Sequence, residues 1–527
     1  MTATHTAKYR PSFLAWLISL FSGVGGLIAK IVMLCIVNGI TGWAIIVMFT
    51  QDRAVWALST LAVLAAIDFV YLVPNRMLPA KFIVPGSVLL IAYLIVPIFF
   101  TINTAFQKYS TGHVLTKAEA IDTNIVQNVV QGDRFFMMVP TRDQAGELVL
   151  VLVDDTTGQA YLGRASGLED IDPTSVSVDD FGYLVPPPGF TAIEGEELFA
   201  IDAELAAFVV PLDGGGVIRA EGVSGAYDSV PGFEYDPARD VLVATDTGDA
   251  FADNGRGSFE NAQGEQLVVG WREYIGFENF TAVVTNPMVR QPFLRAFVWT
   301  VIFAASTVLI SFAIGLFIAK VLDKPKLRMK RLYRSMLVVP YAVPGFLSLL
   351  VFKGLLNEDY GLINKLLPFD PPWLFDPWWA RISVILVSVW LTTPYFMLVC
   401  MGALQSIPTE LVEAARVDGA GRWQVFNKVT LPLLLAVVTP LLIASFAYNF
   451  NNFNNVYLLT GGGPSVDDQG VAGATDILIS YTYKLAFESG KGQDYGLASA
   501  ISIYIFFIVA AMSASGFLRS KALENMK

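Results

Sequence analysis

The sequence has little of the chemistry on which metal proteins and disulfide-rich proteins depend. Among its 527 residues are two cysteines and two histidines, and only 15% of the residues are charged. Cys35 and Cys400 each lie within an apolar run, so no disulfide framework is indicated. His5 and His113 are isolated and lack the spacing of metal ligands. We therefore expect no metal site and no cofactor.

Motifs for nucleotide chemistry and hydrolysis are also missing. No Gly-x-x-x-x-Gly-Lys-Ser/Thr sequence occurs, so the chain has no P-loop for ATP. The Gly-Lys pair within residues 489–493 has neither the upstream glycine nor the following hydroxyl residue. No Ser-His-Asp arrangement is visible either. These absences predict a protein that is not itself an enzyme.

Long apolar runs are what the chain has in abundance. Hydrophobic residues make up 54% of it, and the mean hydropathy is +0.54, which is more apolar surface than a few soluble cores could bury. Several runs have the length that crosses a bilayer as a helix. They lie at about residues 31–50, 54–74, 83–104, 293–320, 334–357, 380–402, 433–457 and 496–518. The sequence predicts an all-α polytopic membrane protein with about eight transmembrane helices.

The basic residues between these runs predict the orientation. With eight spans and a cytoplasmic N-terminus, five basic clusters face the cytoplasm, as the positive-inside bias expects, and both termini are cytoplasmic. The clusters are Lys8 and Arg10, Arg76 and Lys81, Lys320 to Arg334, Arg416 to Lys428, and Arg519 to Lys527. The glycine-interrupted stretch 12–29 is interpreted as an interfacial or partly embedded helix that leads into the first span, because a ninth span would move the first cluster outside.

One hydrophilic block interrupts the membrane runs. Between Ala105 and Phe277 there are 29 acidic and 9 basic residues, whereas the remainder has 17 acidic and 26 basic residues. Strand-like runs around turn signals in residues 147–163 and 241–271 predict β structure. The Asp-rich part of the second run lacks EF-hand spacing and is interpreted as an exposed loop.

These patterns together predict three regions. They are an N-terminal region at 1–104 with three spans, a β-rich external domain at 105–277 inserted after the third span, and a core at 278–527 with five spans.

The most specific pattern lies between the sixth and seventh runs, in LVEAARVDGAGRWQVFNKVTLPLLL at 411–435. It predicts a short helix at 411–417, a glycine turn, a second amphipathic piece and a proline that opens the next span. An ordinary helix hairpin would explain the amphipathicity. It would not explain why the small Ala414 and Ala415 stand beside Glu413 on a helix between two spans. Such a flat face suits the groove of a partner.

This pattern resembles the EAA loop of ATP-binding-cassette importer permeases and matches that motif at every position. The resemblance implies that Glu413, Ala414, Ala415 and Gly419 belong to a cytoplasmic coupling loop (403–432) whose helix sits in a cleft of a separate ATPase subunit. From Trp299 onward, segments such as VVPYAVPGFLSLLVFKGL and ASFAYNFNNFNNVYLLTGGGP resemble the larger permease subunit of maltose/maltodextrin importers. Over 31–104 the likeness is mainly architectural.

The resemblance also implies partners and a location. The partners would be a second permease subunit, two copies of an ATP-binding subunit, an external sugar-binding protein, an oligosaccharide substrate and membrane lipid, with no nucleic acid. The location would be the plasma membrane of a bacterium or archaeon. The importer would work by alternating access.

Five asparagines between Tyr448 and Val456 lie where a membrane helix should still be crossing. On a continuous helix, Tyr448, Asn449, Asn452 and Asn455 share one face. Amides supply both hydrogen-bond roles and aromatic rings supply stacking surfaces, so the pairing suits a sugar. Asparagine can also hold helices together, and for Asn451, Asn454 and Asn455 that alternative is preferred.

By resemblance, the sugar pocket is lined by residues of the sixth and seventh spans. These are Leu391, Thr392, Tyr395, Tyr448, Asn449 and Asn452. Members of the family have Gly where Thr392 stands and Phe where Tyr448 stands. The two added hydroxyls leave specificity for α-glucans open.

Rival interpretations remain at this point. The same kind of importer could carry a different di- or oligosaccharide. A membrane sensor would need a cytoplasmic signalling domain, and a proton-coupled transporter would need several buried acids, whereas Asp68 is a lone acid within a run. Pro340, Pro344 and Pro440 would kink their helices, either for a gate or only for packing.

Overall fold

The computed structural model describes residues 23–51, 53–72, 78–212, 216–324, 328–466, 471–488 and 493–524. The chain divides into two units, one ending at Thr101 and one beginning at Ile102. Seven helices in the described part are long and apolar enough to cross a membrane, and an eighth span is present if one bent helix pair is counted. The prediction of a polytopic membrane protein with about eight spans is therefore confirmed.

The first unit consists of apolar helices. Helix α1 is Gly23–Thr50, α2 is Ala54–Leu72, α3 is Leu78–Leu90, and α4 is Val96–Ala105, which follows a π-helical turn at Ile91–Ile95 and continues into the second unit. Residues 23–29 form the start of α1, as expected of a helix that leads into the first span, while residues 12–22 lie outside the described residues. A helix pairs every backbone group within the apolar run, glycines included.

Asp68, the acid that lies within the second apolar run, has a partner. Asn38 Nδ2 of α1 donates to Asp68 Oδ1 of α2 over 3.0 Å. A small apolar cluster of Ile45, Ala57 and Leu64 joins the same two helices. Asp68 is therefore paired between helices.

An inserted β-rich region follows the third span. Its elements are β1 (Gln107–Lys108), α5 (Lys117–Gln127), β2 (Val129–Arg142), β3 (Leu148–Asp154), β4 (Ala160–Arg164), β5 (Gly167–Ile171), β6 (Ser177–Val178), β7 (Leu184–Val185), β8 (Thr191–Ala192), α6 (Glu196–Ala200), α7 (Asp202–Ala207), β9 (Val209–Pro211), β10 (Val217–Glu221), β11 (Gly225–Pro231), β12 (Phe233–Asp236), β13 (Val241–Ala244), β14 (Ala250–Asp253), β15 (Phe259–Glu260) and β16 (Glu273–Tyr274). The predicted β-rich insertion after the third span is confirmed.

Most of the described strands form two antiparallel sheets with separate cores, and β1-β16 and β6-β7 are two-stranded pairs. The larger sheet has the order β5-β4-β3-β2-β11-β10-β9, with β8 on β2, and its core contains Phe136, Leu150 and Ile218. The smaller sheet, β12-β13-β14-β15, packs Phe259 and Trp271 against α5.

The insertion is closed by a short stem, which we define as residues 107–113 with 272–274. Strands β1 and β16 pair antiparallel there, with Gln107 opposite Tyr274. The stem also bonds to the start of the last span: Thr111 N donates to Gln493 O over 2.8 Å, and Gly496 N donates to Tyr109 O over 3.0 Å. The insertion is thus attached to the membrane helices through backbone pairing as well as through its two chain connections.

The remaining elements are helical. They are α8 (Glu278–Thr285), α9 (Pro287–Leu322), α10 (Lys330–Ala342), α11 (Gly345–Leu355), α12 (Leu362–Leu366), α13 (Pro377–Gln405), α14 (Thr409–Val417), α15 (Arg422–Val425), α16 (Leu431–Phe450), α17 (Phe453–Thr460), α18 (Leu478–Phe487) and α19 (Tyr495–Glu524). The fourth, sixth and eighth predicted spans correspond to α9, α13 and α19.

Helices α9 and α13 form the centre of this bundle. A Cβ added at Gly315 of α9 would lie 2.7 Å from Met397 N and 2.8 Å from Phe396 Cβ, so only glycine lets these two backbones approach so closely. Phe303 of α9 and Val384 of α13 are fully buried in a shared apolar cluster. Small residues at helix crossings serve this purpose in membranes, where apolar contacts alone do not drive helices together.

Two predicted spans are broken. The fifth span bends by 90° between α10 and α11, with Val343 and Pro344 in extended conformations. The bend is at Pro344 because a proline disfavours the helical conformation of the residue before it. Pro340 lies inside α10.

The seventh span ends earlier than the continuous helix expected over 433–457. Helix α16 stops at Phe450, Asn451 and Asn452 leave the helical conformation, and α17 begins at Phe453. Asn452 ends the run because its side chain caps the next helix, accepting a hydrogen bond from Asn455 N over 3.3 Å. The assumption that Tyr448 and Asn452 share one face of an unbroken helix is therefore wrong.

Candidate functional site

Both broken spans border one cavity of about 450 Å³. The residues that line it are Pro340, Tyr341, Val343, Gly345, Leu391, Thr392, Tyr395, Ala444, Ser445, Tyr448, Asn449, Asn452 and Asn455. All six residues assigned to a sugar pocket from the sequence are among them. The structure brings these side chains together, while their role in binding stays a prediction.

One face of α13 supplies a wall of the cavity. Asp376 caps this helix, accepting hydrogen bonds from Trp378 N and Trp379 N over 2.9 and 3.0 Å. Leu391, Thr392 and Tyr395 then fall on one side of α13, three and four residues apart. The hydroxyl groups of Thr392 and Tyr395 have no hydrogen-bond partner in the described part of the chain, so both are available to a ligand.

The end of α16 contributes an acceptor that has no partner. Asn449 is 1% exposed, and its Nδ2 donates to Ser445 O over 2.9 Å. Its Oδ1 is buried without a hydrogen-bond partner in the described residues. A buried, unpaired carbonyl is costly, about 1–3 kcal/mol, and such groups call for an explanation. A hydroxyl of a bound ligand would satisfy this oxygen.

The hydrogen bond that caps α17 determines which end of the Asn452 amide is left for the cavity. Asn452 uses its Oδ1 to cap Asn455 N, so its Nδ2 is the end left for the cavity. Asn449 therefore presents an acceptor and Asn452 presents a donor to the same space. The two amides reach the cavity from either side of the helix break, although they do not share a helix face.

Three tyrosines complete the lining. Tyr395 is half-buried, whereas Tyr341 and Tyr448 are 56% and 70% exposed. The prediction from sequence omitted Tyr341, which stands three residues before Pro344. Ser445 and Asn455 were also omitted from the pocket. A helix break at Pro344 would have been the signal for Tyr341, since broken helices in membranes line cavities.

An aromatic group supports α17 on its side away from the amides. Phe453 and Tyr457 are stacked with ring centroids 4.6 Å apart, and Tyr483 of α18 lies 5.0 and 5.3 Å from them. Tyr457 also donates to Glu488. Helix α18 is in turn anchored by Lys484, whose Nζ lies 2.7 Å from the fully buried carboxylate of Asp476. The wall that carries Asn452 and Asn455 is thus held by α18.

The predicted coupling loop forms a second, separate feature. Helix α14 spans Thr409–Val417, in agreement with the expected short helix, and Gly419 has a φ of +86°, which favours glycine at this turn. Glu413 and Ala414 are exposed and Ala415 is half-buried. Val417 is 87% exposed. An amphipathic helix with exposed small and apolar residues is suited to a partner, and that role stays a prediction.

Charged residues surround a cavity of about 400 Å³ beside this helix. Glu413, Arg416 and Arg422 line it together with Lys320, which lies at the end of α9. Lys320 Nζ stands 3.5 Å from the centroid of the Phe426 ring. Within the described residues Glu413, Arg416 and Arg422 form no salt bridge, whereas Lys320 has the Phe426 ring as its neighbour.

Comparisons with known families agree with this architecture. Residues 311–523 match the model of the inner membrane component of binding-protein-dependent transport systems. Residues 88–166 match the model of the N-terminal region of the transmembrane subunit in ABC transporters that depend on a periplasmic binding protein.

Curated relatives extend the match to nearly the whole chain. The maltose/maltodextrin transport system permease protein MalF of Vibrio vulnificus is 34% identical over 94% of this chain and 95% of its own length. The proteins of the same name from Escherichia coli K12 and Klebsiella aerogenes are 35% and 36% identical, over 90% and 91% of this chain and 93% and 94% of their own.

Among solved structures, a chain of a bacterial ABC transporter that imports the acidic polysaccharide alginate is similar. It covers 47% of this chain and 84% of its own length, with a TM-score of 0.41 and 21% identity.

The membrane spans, the coupling-loop motif and the matched models define a permease component of a binding-protein-dependent transport system. Within that class, the chain belongs to the family of the MalF transport-system permease proteins.

Proposed function

We propose that this chain is the transmembrane permease subunit of an ATP-binding-cassette importer for oligosaccharides of the maltose and maltodextrin type. The relatives that it matches over more than nine-tenths of their length carry that substrate in their names. The observation that carries the proposal is the cavity between the two broken spans. It places an unpaired amide acceptor, an amide donor and three phenol rings around one space.

These groups suit a sugar better than an ion or an apolar solute. A sugar presents hydroxyls that both donate and accept, on rings with apolar C–H faces. The cavity offers complementary amides and hydroxyls beside aromatic rings, and no charged side chain lines it in the described residues. A volume of about 450 Å³ lies within the range of small-ligand sites and suits a short oligosaccharide.

The importer requires partners. A second permease subunit would complete the pathway, and an external binding protein would deliver the sugar on the side of the β-rich insertion. The complex would contain two copies of an ATP-binding subunit, and one of them would receive α14 in its cleft, with Glu413, Ala414, Ala415 and Gly419 at the contact. The chain would lie in the plasma membrane with both termini in the cytoplasm, where its basic loops also lie.

A panel of sugars in the reconstituted complex tests the substrate. Each sugar is added with its binding protein, and ATP hydrolysis and uptake are measured per assembled complex. Maltose and maltodextrins should stimulate both. Stimulation only by a different disaccharide would replace the substrate and keep the importer, and the hydroxyls of Thr392 and Tyr448 make that comparison necessary. Stimulation by no sugar would contradict the proposal.

Two variants test the cavity. Tyr395→Ala and Asn452→Leu should each reduce uptake per complex roughly tenfold to a hundredfold, because each removes a ligand contact worth about 1–3 kcal/mol. Basal ATP hydrolysis should be unchanged. Uptake is expressed per assembled complex because Asn452→Leu also removes the cap of α17. Phe506→Ala is the matched control, since Phe506 is 64% exposed and lies outside the cavity. Normal uptake per complex in both cavity variants would contradict the assignment.

A further inference from the structure

Asn455 lines the cavity, whereas a role in holding helices together is the one preferred for it from the sequence. It is the third residue of α17, it is 7% exposed, and it lies beside Asn452 in the cavity wall. On an unbroken helix it would lie two turns from Tyr448 on the same face. In the structure the helix breaks at Asn451 and Asn452, and Asn455 reaches the cavity from α17.

A single hydrogen bond orients its carboxamide. Asn455 Nδ2 donates over 3.0 Å to Ser388 Oγ, and Ser388 is fully buried on α13. Ser388 precedes Thr392 by four residues, so it lies one turn away on the same side of α13 as the cavity wall. Because the amide nitrogen is held by Ser388, the carbonyl oxygen is the end that remains. No donor in the described part of the chain bonds to that oxygen.

We propose that Asn455 is a specificity-determining residue that reads one hydroxyl of the transported sugar, with Ser388 as the positioning residue that turns its carbonyl toward the ligand. The proposal rests on the proposed sugar-import function. Asn455 Oδ1 and the unpaired Asn449 Oδ1 form two acceptors in one cavity, with Asn452 Nδ2 as the donor beside them. This set recognises a ligand that can donate two hydrogen bonds and accept one.

A simpler role for Asn455 is to hold α17 against α13. That role uses only the nitrogen end of the amide and its bond to Ser388, and it predicts the same loss for every substrate. Recognition of a hydroxyl predicts a loss that depends on which hydroxyl the substrate carries. The two roles are therefore separated by changing the sugar and the residue together.

The experiment uses the reconstituted complex and measures the uptake of maltose and of each monodeoxy maltose. If the sugar panel identifies a different disaccharide, that disaccharide and its monodeoxy derivatives are used instead. The binding protein is saturated with sugar in every case, and the rate is expressed per assembled complex. For the wild type, removal of one particular hydroxyl should slow uptake roughly tenfold. In Asn455→Leu the parent sugar should be slowed by about that factor, and the deoxy sugar should be transported no more slowly than the parent.

Ser388→Ala provides the second variant. It leaves Asn455 in place but removes the partner of its nitrogen, so the amide is no longer oriented. The preference for the same hydroxyl should fall several-fold while assembly stays normal. If Asn455→Leu assembles poorly, this variant still decides the question. Asn454→Leu is the matched control, because Asn454 is the neighbouring asparagine, is exposed and lies outside the cavity lining.

The result that would overturn the inference is an unchanged profile of deoxy sugars in both Asn455→Leu and Ser388→Ala. A uniform loss for all sugars would assign Asn455 to helix packing alone and would also overturn it. Failure of the importer assignment is distinguishable, because the wild-type complex would then respond to no sugar at all.

Discussion

Single residues in the cavity are arranged at the expense of stability. Asn449 shows this most directly, because its buried Oδ1 has no partner in the described residues. A buried polar atom whose only partner is a ligand lowers the stability of the protein when the ligand is absent. Strained or unpaired polar groups of this kind are common at functional sites.

We therefore predict opposite effects of Asn449→Leu on stability and transport. Removal of the unpaired acceptor should leave the melting temperature of the purified complex unchanged or raise it, since an uncompensated group costs about 1–3 kcal/mol. Sugar uptake per complex should fall at least tenfold. Thermal unfolding in detergent and uptake in vesicles measure the two effects. A lower melting temperature with proportional loss of uptake would assign Asn449 to packing.

At the residue scale, the sequence predicted which types of side chain line the cavity better than it predicted the path of the helices that carry them. Leu391, Thr392, Tyr395, Tyr448, Asn449 and Asn452 were named from a family resemblance, and all six line one cavity. Tyr341 and Asn455 were not placed there. The position of Tyr341 depends on the break at Pro344, and residue spacing along an assumed straight helix does not contain that information. Asn455 falls on the face of Tyr448 in a straight helix, but its residue type alone does not separate ligand binding from helix packing.

At the scale of elements, α14 and its glycine turn carry the second prediction. Gly419 has a φ of +86°, where a β-branched side chain is strained, so Gly419→Val should misorient α14. Membrane insertion should be normal, because no Cβ clash occurs at this position. Stimulated ATP hydrolysis and uptake should both fall at least tenfold. The measurement compares them with basal hydrolysis in the same complex.

Gly402→Ala serves as the control for that change, since a Cβ at Gly402 also meets nothing within 4 Å and its φ is not in the left-handed region. Wild-type coupling in Gly419→Val would contradict the role of α14. Glu413→Lys tests the same contact by charge, and a normal response in both variants would remove the coupling helix from the proposal.

In the β-rich insertion Lys117 is paired with Asp240 and Asp253, and we call this group the lysine clamp. It predicts that stability depends on pH. Lys117 Nζ lies 2.5 Å from Asp240 Oδ2 and 2.6 Å from Asp253 Oδ2. The hydrogen bond from Lys117, with a further one from Tyr235, holds the pKa of Asp240 below its usual value. A lowered pKa in the folded protein means that the ionised form stabilises the fold. That contribution is complete above the unfolded pKa of about 4 and is lost as the pH falls through the lowered value.

Lys117→Met should therefore weaken the small sheet at neutral pH and reduce its sensitivity to acid. Hydrogen exchange of peptides from β12 to β15, compared with the wild type at each pH between 3 and 7, measures both effects. The difference between variant and wild type should shrink toward pH 3. A difference that is constant with pH would show that the clamp acts through packing and not through charge.

The sequence predicted most elements and missed their interruptions for a physical reason. The spans were predicted from apolar runs because a helix is the one regular structure that satisfies its own backbone in lipid. Composition stays apolar through Pro344, so hydropathy could not reveal that break. The asparagines at 449–455 interrupt the apolar composition of the seventh run, but amides also occur within continuous membrane helices, so they did not by themselves indicate a break. The Asn452-x-x-Asn455 spacing is a capping pattern, and it was the one local signal of a new helix start.

At the scale of the whole molecule, the stem determines how the insertion is attached. Its two strands pair at Gln107 and Tyr274. Tyr109 and Thr111, which follow the first strand, form backbone hydrogen bonds with Gly496 and Gln493 at the start of α19. Asn279 Nδ2 also donates to both Ala105 O and Gln107 O over 2.9 Å. The chain enters and leaves the insertion at one point, which is the arrangement in which domain insertions are tolerated.

Two deletions should therefore behave differently. Replacement of residues 114–271 by a short Gly/Ser linker keeps the stem, and this protein should insert and assemble at the wild-type level. Removal of residues 107–274 takes the bonds to Gln493 and Gly496 with it, and assembly should fall. Yield of purified complex measures this. Both deletions should abolish stimulation by the binding protein, and equal assembly of the two would contradict a structural role for the stem.

The two broken spans have a consequence for water. Backbone groups that leave a helix within a membrane protein must bond to protein or line a wet space, and Val343, Gly345 and Asn452 at the two breaks line the same cavity. Its volume of about 450 Å³ holds on the order of ten water molecules. A sugar that enters must displace most of them and exchange its own hydration for the amides and phenols. The occupied state is thereby linked to water activity, and osmotic stress imposed by a large excluded solute should favour it over the hydrated, empty state.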